Sequence, residues 1–185
     1  MAAVRRRQVE REFAGQVRFE RRVYLLLPGE GQRPVYDDYL IQHRLAARSR
    51  EPSLGWTIPE PGLPYPKSSV PAQLLALRVQ QRTPERLEAL EDALFRAVFV
   101  ELADVAAPEV LRRCCTQAGV DTSEVEAALQ DPALREQAFA EHAESQAHFI
   151  QGIPALLLPG MRPITGAVDT EVYRQALRFA LSARR

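Results

Sequence analysis

Hydrophobic residues recur at helical spacing through the middle of the chain. Leu87, Leu90, Leu94, Val98 and Leu102 mark the strongest such stripe, and a proline or a capping residue precedes most of its neighbours. The pattern predicts consecutive helices across residues 68–150. The individual helices are expected at about 69–81, 83–102, 108–118, 122–129 and 132–149.

The N-terminal part has a mixed pattern. Residues Ala2 to Ala14 carry a thin apolar stripe that predicts a helix, which Gly15 ends. Alternating and then continuous apolar residues predict a strand over Gln16–Leu27. A short helix is expected over Val35–Arg48, within a proline-dense connector (residues 28–71) that is otherwise extended.

The C-terminal part predicts two strands and a helix. Apolar residues favour strands at Ala155–Leu158 and at about Arg162–Thr165, joined by a turn at Pro159-Gly160. So short a connection allows only an antiparallel hairpin. A final amphipathic helix is predicted over Asp169–Ser182.

The most informative segment is Gly152-Ile153-Pro154, which leads directly into the first strand of that hairpin. Proline lacks the N–H of a ladder bond and belongs at a strand's first position. X-Pro bonds also adopt the cis form at low cost. A cis bond here would turn the backbone of Ile153 outward, so we expect Ile153 and Pro154 to face a ligand.

Composition narrows the function classes. The 185 residues include 24 basic and 24 acidic side chains, and 46% are hydrophobic. A net charge of zero does not favour nucleic acid or an anionic membrane as a partner. No apolar stretch is long enough to span a bilayer, and charged residues interrupt any N-terminal signal pattern. A cytoplasmic location is expected.

Neither the cysteines nor the histidines form a recognisable reactive site. Cys114 and Cys115 are adjacent, and side chains of neighbouring helical residues point about 100° apart. We expect one packed and one half-exposed thiol, without a redox role. His142 and His148 do not share a helix face, so no metal site is predicted.

The order of elements resembles a DsbA-like thioredoxin domain interrupted by helices. It is most similar to the cytoplasmic branch with 2-hydroxychromene-2-carboxylate isomerase, kappa-class glutathione transferase and FrnE-type oxidoreductases. The matching segments are Gln16–Arg22 leading to Leu27-Pro28, Ser68–Ala72, Ala93–Phe99, Pro108–Leu111 with Ala118–Asp121, Gly152-Ile153-Pro154 and Thr165-Gly166.

The resemblance implies an α/β, thioredoxin-like fold with a large all-helical insertion. Residues 1–67 and 151–185 would form the thioredoxin-like domain, and residues 68–150 the insertion. It also implies a thiol-disulfide oxidoreductase in which Ile153 and Pro154 bind the backbone of a peptide or of glutathione. The partners would be a peptide or thiol substrate, or a glutathione-like molecule; a homodimer is compatible with this reading.

The chain departs from the family at its N-terminus. The family begins with a central strand and a Cys-x-x-Cys, or a serine variant, at the first helix, and this sequence contains neither. The fold is therefore expected to be N-terminally incomplete, and no nucleophile can be named. Either the start codon lies upstream of Met1, or the chain is a shortened paralogue; the first explanation is preferred because it restores a strand partner.

Two other functions stay open. One is a non-catalytic ligand-binding or scaffold protein. The other is glutathione-dependent isomerase or transferase chemistry, for which Asp169 and Thr170 are the available polar groups, although these residues also suit the N-cap of the last helix. No bound cofactor is expected, and glutathione would enter as a co-substrate.

Overall fold

The computed structural model describes residues 2–183, so the predicted domain limits at residues 1 and 185 lie outside it. This part of the chain packs as two compact units. One combines the residues up to Arg22 with those from Ala143 onward, and the other is Val23–His142. The predicted division at residues 67 and 150 stays a prediction.

Residues 2–183 contain eight α-helices and two short strands. The helices are α1 (Ala2–Glu12), α2 (Asp38–Arg50), α3 (Val70–Arg82), α4 (Leu87–Phe99), α5 (Pro108–Ala118), α6 (Ser123–Leu129), α7 (Pro132–Ala147) and α8 (Thr170–Ser182). The strands are β1 (Ala155–Leu156) and β2 (Ile164–Thr165). No helix in this range combines the length and apolar character that a bilayer crossing requires.

The predicted helical block is confirmed, with shifted ends. The strongest helix begins at Leu87, because Pro84–Arg86 form a separate 3₁₀ turn. It ends at Phe99, short of Leu102, whose φ of 56° is left-handed. Helices α3, α4, α5 and α6 pack against one another around a buried apolar core. Its largest fully buried side chains include Leu74, Leu75, Leu77, Leu90 and Leu111.

The predicted strand over Gln16–Leu27 is wrong as a paired strand. Burial does alternate with a period of two, so that Val23, Leu25 and Leu27 are buried, but no neighbouring strand pairs with them within residues 2–183. The physical reason is that side chains accept their N–H groups instead. Val23 N–H donates to Glu141 Oε2 (2.7 Å), Leu25 N–H to His142 Nδ1 (3.2 Å) and Leu27 N–H to Ser69 Oγ (2.9 Å).

Helix α2 begins at Asp38, three residues later than predicted, because Val35 forms an antiparallel bridge with Pro64. Asp37 caps the helix, its carboxylate accepting from Leu40 N–H at 2.9 Å. The helix places Arg44 inside the unit, with only 5% of the residue exposed.

The Arg44 guanidinium is held by main-chain carbonyls rather than by a carboxylate. Nη1 donates to the carbonyls of Phe99 (3.1 Å) and Thr57 (3.3 Å), and Nη2 to that of Val98 (2.9 Å). Nη2 also donates to Tyr36 Oη (2.8 Å). A cation at the C-terminal carbonyls of α4 is favourable for the helix dipole. Arg44 thus joins α2 and the proline-dense connector to the end of α4.

The other unit contains α1, the hairpin and α8. The hairpin is antiparallel, as predicted, but its paired residues are fewer: Ala155 lies opposite Thr165, and Leu156 opposite Ile164. Val9 of α1 and Phe13, directly after that helix, share a buried cluster with Leu158, Tyr173, Ala176 and Leu177. A bidentate ion pair between Arg174 and Glu12 (2.6 and 2.7 Å) also joins α8 to α1.

Replacing Glu141 by Leu should destabilise the protein. The buried Val23 N–H would lose its acceptor, at a cost of about 1–3 kcal/mol in the free energy of unfolding. Glu141→Gln keeps an acceptor oxygen and should lose less. Urea unfolding measures the difference, and amide exchange at Val23 should speed up in Glu141→Leu. The exposed Glu136, replaced by Leu on the same helix, is the control; equal losses in the two Leu variants would contradict the assignment.

Replacing Arg44 by Met should lower the free energy of unfolding by about 2 kcal/mol or more, since charge-assisted hydrogen bonds are lost and buried carbonyls stay behind. Arg44→Lys should rescue little, because an ammonium cannot reproduce the guanidinium fork. Thermal or urea unfolding measures this. The exposed Arg48, replaced by Met, should change stability by less than about 0.5 kcal/mol; an Arg44→Met variant as stable as that control would refute the role of Arg44.

Candidate functional site

The segment before β1 forms the candidate site. The peptide bond between Ile153 and Pro154 is cis. Gly166 N–H donates to the Pro154 carbonyl at 2.8 Å, which extends the hairpin ladder by one bond beyond the paired residues. Pro154 therefore stands at the start of β1, the place that a residue without an N–H suits.

The ladder leaves one edge of β1 without a strand. In an antiparallel pair, hydrogen-bonded and non-hydrogen-bonded positions alternate. Since Pro154 bonds to Gly166, Ala155 occupies a non-hydrogen-bonded position, and its N–H and C=O point away from β2. The sheet described within residues 2–183 has two strands, so this edge meets no other strand. The sequence pattern alone does not mark Ala155 as a site residue, although alternation counted from Pro154 identifies it.

Ile153 lies beside this edge and faces solvent. Its residue surface is 48% exposed, and its main chain makes no hydrogen bond within residues 2–183. The structure thus brings both predicted site residues to one place: Pro154 at the start of the strand, and Ile153 next to it with an accessible backbone and side chain. An extended chain could pair with such an edge through main-chain hydrogen bonds.

Contacts from α1 and α8 hold the hairpin in position. Arg5 Nη1 donates to the carbonyls of Ala167 (2.9 Å) and Val168 (2.8 Å), directly after β2. Tyr173 Oη donates to the Gly166 carbonyl at 3.3 Å, and burial raises the pKa of this phenol, so the hydroxyl keeps its proton. The candidate edge therefore belongs to a firmly anchored hairpin.

The expectation of one half-exposed thiol is wrong. Cys114 and Cys115 have 1% and 0% exposure. Helix α5 packs against both α4 and α6, so side chains that diverge by about 100° both enter the core. Burial raises the pKa of Cys114; burial and then the neighbouring Cys114 raise the pKa of Cys115 to about 12. Neither thiol supplies a thiolate near neutral pH.

The remaining polar candidates have structural partners. His142 Nδ1 accepts from Leu25 N–H, and the ring meets Tyr24 edge-on at 4.9 Å between centroids. Asp169 precedes α8 without capping it through its side chain, and lies 3.5 Å from Arg5 Nη1. In the described part of the chain, no three histidine, cysteine or acidic side chains are grouped to hold a metal.

A separate open groove of about 440 Å³ lies in the same unit. Its lining comes from the C-terminal ends of α1 and α8 and from the turn after α1: Glu12, Phe13, Gln16, Arg178, Leu181 and Ser182. It contains neither Ile153 nor Pro154, so it is distinct from the candidate edge.

Two solved structures share this fold over nearly the whole chain. A candidate protein disulfide isomerase from Nitrosomonas europaea has a TM-score of 0.75 and 21% sequence identity, with 99% of this chain and 91% of that chain covered. A candidate DsbA oxidoreductase from Streptomyces coelicolor has a TM-score of 0.74 and 23% identity, with coverages of 100% and 86%. At such identities the likeness establishes a thioredoxin-like DsbA fold.

No curated protein matches the sequence significantly. The family model of the DSBA-like thioredoxin domain matches residues 53–178, which is more than half of the chain and includes Ile153, Pro154 and both strands. The chain belongs to the DSBA-like thioredoxin domain family.

Proposed function

We propose that this protein works within the thiol-disulfide oxidoreductase class of its family by binding extended, cysteine-bearing peptides along the free edge of β1. The observation that supports this most strongly is the unpaired side of β1, where Ala155 directs its N–H and C=O away from β2 and the neighbouring Ile153 is exposed. The two structural neighbours, a candidate disulfide isomerase and a candidate DsbA oxidoreductase, favour the same substrate class.

The proposed contact is β-augmentation. Main-chain bonds to Ala155 and Ile153 would give affinity without regard to substrate sequence, which suits an enzyme class that meets many disulfide partners. Each bond contributes on the order of 0.5–1.5 kcal/mol, so a contact of this size gives modest affinity and ready release.

The role assigned to this chain's residues is binding, not attack. Thiol-disulfide exchange needs a thiolate that can reach the substrate disulfide. Cys114 and Cys115 are buried and hold their protons, and the sequence contains no Cys-x-x-Cys. The proposal therefore names Ile153 and Pro154 as substrate-binding residues and no residue as nucleophile.

Glutathione is the second candidate ligand. It is a small thiol peptide with main-chain groups of its own, so the same edge could accept it in place of a longer peptide. Its affinity should be lower, because fewer main-chain bonds and less apolar surface are available. No resident cofactor or metal is proposed.

Replacing Ala155 by Pro should weaken peptide binding about tenfold. The substitution removes the N–H that points away from β2 while leaving the β1–β2 bonds intact. The probe is a short fluorescein-labelled peptide, rich in threonine and leucine, with a central S-methylcysteine, and binding is read from fluorescence anisotropy. The methyl group prevents thiol exchange, so the measurement reports binding alone.

Ala155→Val is the matched control, because it keeps the N–H and should keep the affinity. Both variants should retain the wild-type unfolding midpoint. Wild-type protein that binds neither the peptide nor millimolar glutathione would refute the proposed function. Self-association through the same edge, detected as a concentration-dependent mass in sedimentation, would identify a second copy as the occupant instead.

The cysteines generate a pH prediction. An unfolded-chain thiol has a pKa of about 8.5, whereas Cys115 is raised to about 12. Below about pH 8.5 both states hold the proton and the stabilisation is complete. As pH rises from about 8.5 towards 12, the unfolded chain loses its proton first and the free energy of unfolding falls. Urea midpoints at pH 7 and pH 10 should therefore shift less in Cys115→Ala than in wild type.

The comparison isolates the thiol, because Tyr36 and Tyr65, whose pKa values burial also raises, are present in both proteins. Native protein should react with a thiol reagent such as DTNB only after unfolding. Insulin-reduction activity that disappears in Cys114→Ser or Cys115→Ser would contradict the passive role given to these thiols.

A further inference from the structure

Helix α7 ends in a left-handed residue that is not glycine. Phe149 N–H donates to the Gln146 carbonyl (2.9 Å), and Ile150 N–H to the Ser145 carbonyl (3.0 Å). This pair of bonds is the Schellman motif, in which the residue after the C-cap takes a positive φ. That residue here is Phe149, with φ of 58°.

The same chain shows the usual solution at α5. Gly119 N–H donates to the Thr116 carbonyl and Val120 N–H to the Cys115 carbonyl, which is the same pattern of bonds, and the left-handed residue is Gly119. Glycine takes this conformation without a steric penalty, whereas a Cβ is disfavoured there. Phe149 therefore occupies a position that backbone energetics assign to glycine.

Packing does not account for the phenylalanine. Phe149 is 85% exposed, the highest value among the large exposed hydrophobic residues described. Leu102, the other described non-glycine residue with a positive φ, is half-buried rather than exposed. Phe149 combines an unfavourable backbone conformation with an apolar ring in water. At 85% exposure, packing of the ring does not offset either cost.

The ring lies close along the chain to the proposed binding edge. Three residues lie between Phe149 and Ile153, and the four chain steps that join them span at most about 14 Å. Ile153 and Leu157 are also apolar and exposed, at 48% and 43%. A peptide paired with Ile153 and Ala155 can therefore present one of its own side chains to Phe149 within a few residues of the paired position.

We infer that Phe149 is a specificity-determining contact that selects peptides with a large apolar side chain near the bound segment. This rests on the proposed function, because the peptide must first pair with the edge of β1. The ring is exposed in the folded chain and would be buried only in the complex. Its burial would therefore favour peptide binding rather than folding. The occupant is an extended peptide with leucine or an aromatic residue at that position.

Phe149→Gly separates binding from stability because the two should change in opposite directions. The variant restores the residue that the Schellman motif favours, and its unfolding temperature should rise by about 2 °C or more. Its affinity for the leucine-rich peptide should fall roughly tenfold, as a buried apolar contact is lost.

A second peptide, with serine in place of each leucine, tests the selectivity. Wild type should prefer the leucine peptide by roughly tenfold, and Phe149→Gly should bind both peptides equally. Phe149→Tyr keeps the ring and should keep the preference. Phe179→Ala is the matched control, since Phe179 is also exposed in this unit (62%), on helix α8 with ordinary backbone; its affinities should equal those of wild type.

The outcomes distinguish this inference from the proposed function. If Ala155→Pro loses peptide binding while Phe149→Gly keeps both affinity and selectivity, the function stands and the inference is overturned. If wild type binds neither peptide, both fail. If Phe179→Ala loses as much affinity as Phe149→Gly, the effect is general surface hydrophobicity, and the role of Phe149 is overturned.

Discussion

A buried chain segment must satisfy its main-chain N–H groups, and residues 23–27 do so without a neighbouring strand. Val23 and Leu25 enter an otherwise helical core, and Leu27 is also buried. The N–H groups of these three residues donate to Glu141, His142 and Ser69. These acceptors come from α7 and from the residue before α3. These bonds thus attach the segment with strand-like alternation directly to the helical block.

The hairpin meets the same requirement differently. β1 satisfies one edge through β2, and no strand within residues 2–183 pairs with its other edge, where N–H and C=O groups can pair with a passing chain. Exposed edges of this kind are a hazard in most proteins, and a short strand preceded by proline limits the risk. Here β1 is only two residues long and directly follows Pro154, which limits sheet growth along this edge.

Local patterns in the sequence predict much of this fold. The stripes that predict α3 to α8, the hairpin and Pro154 at its start depend on neighbours within a few residues, and they emerge at nearly the expected positions. The strand over Gln16–Leu27 fails because alternation reports burial and not the identity of the hydrogen-bond partner. The expectation of a half-exposed thiol fails because burial of both Cys114 and Cys115 depends on a second packing neighbour of α5, which spacing along α5 cannot reveal.

The candidate site likewise combines residues that local sequence predicts with residues that only the tertiary structure identifies. Ile153 and Pro154 carry a sequence signature, whereas Ala155 and Phe149 look like ordinary apolar residues until the ladder and the helix end are seen. The hydrogen bonds of Arg44 cannot be predicted from the sequence either, and they have an evolutionary consequence. Its acceptors at Thr57 and Val98 are main-chain carbonyls, so sequence drift at those two positions leaves them in place. Replacing Arg44, by contrast, removes the guanidinium that donates all four hydrogen bonds. Positions 57 and 98 should therefore tolerate substitution as far as these hydrogen bonds are concerned, whereas position 44 should not.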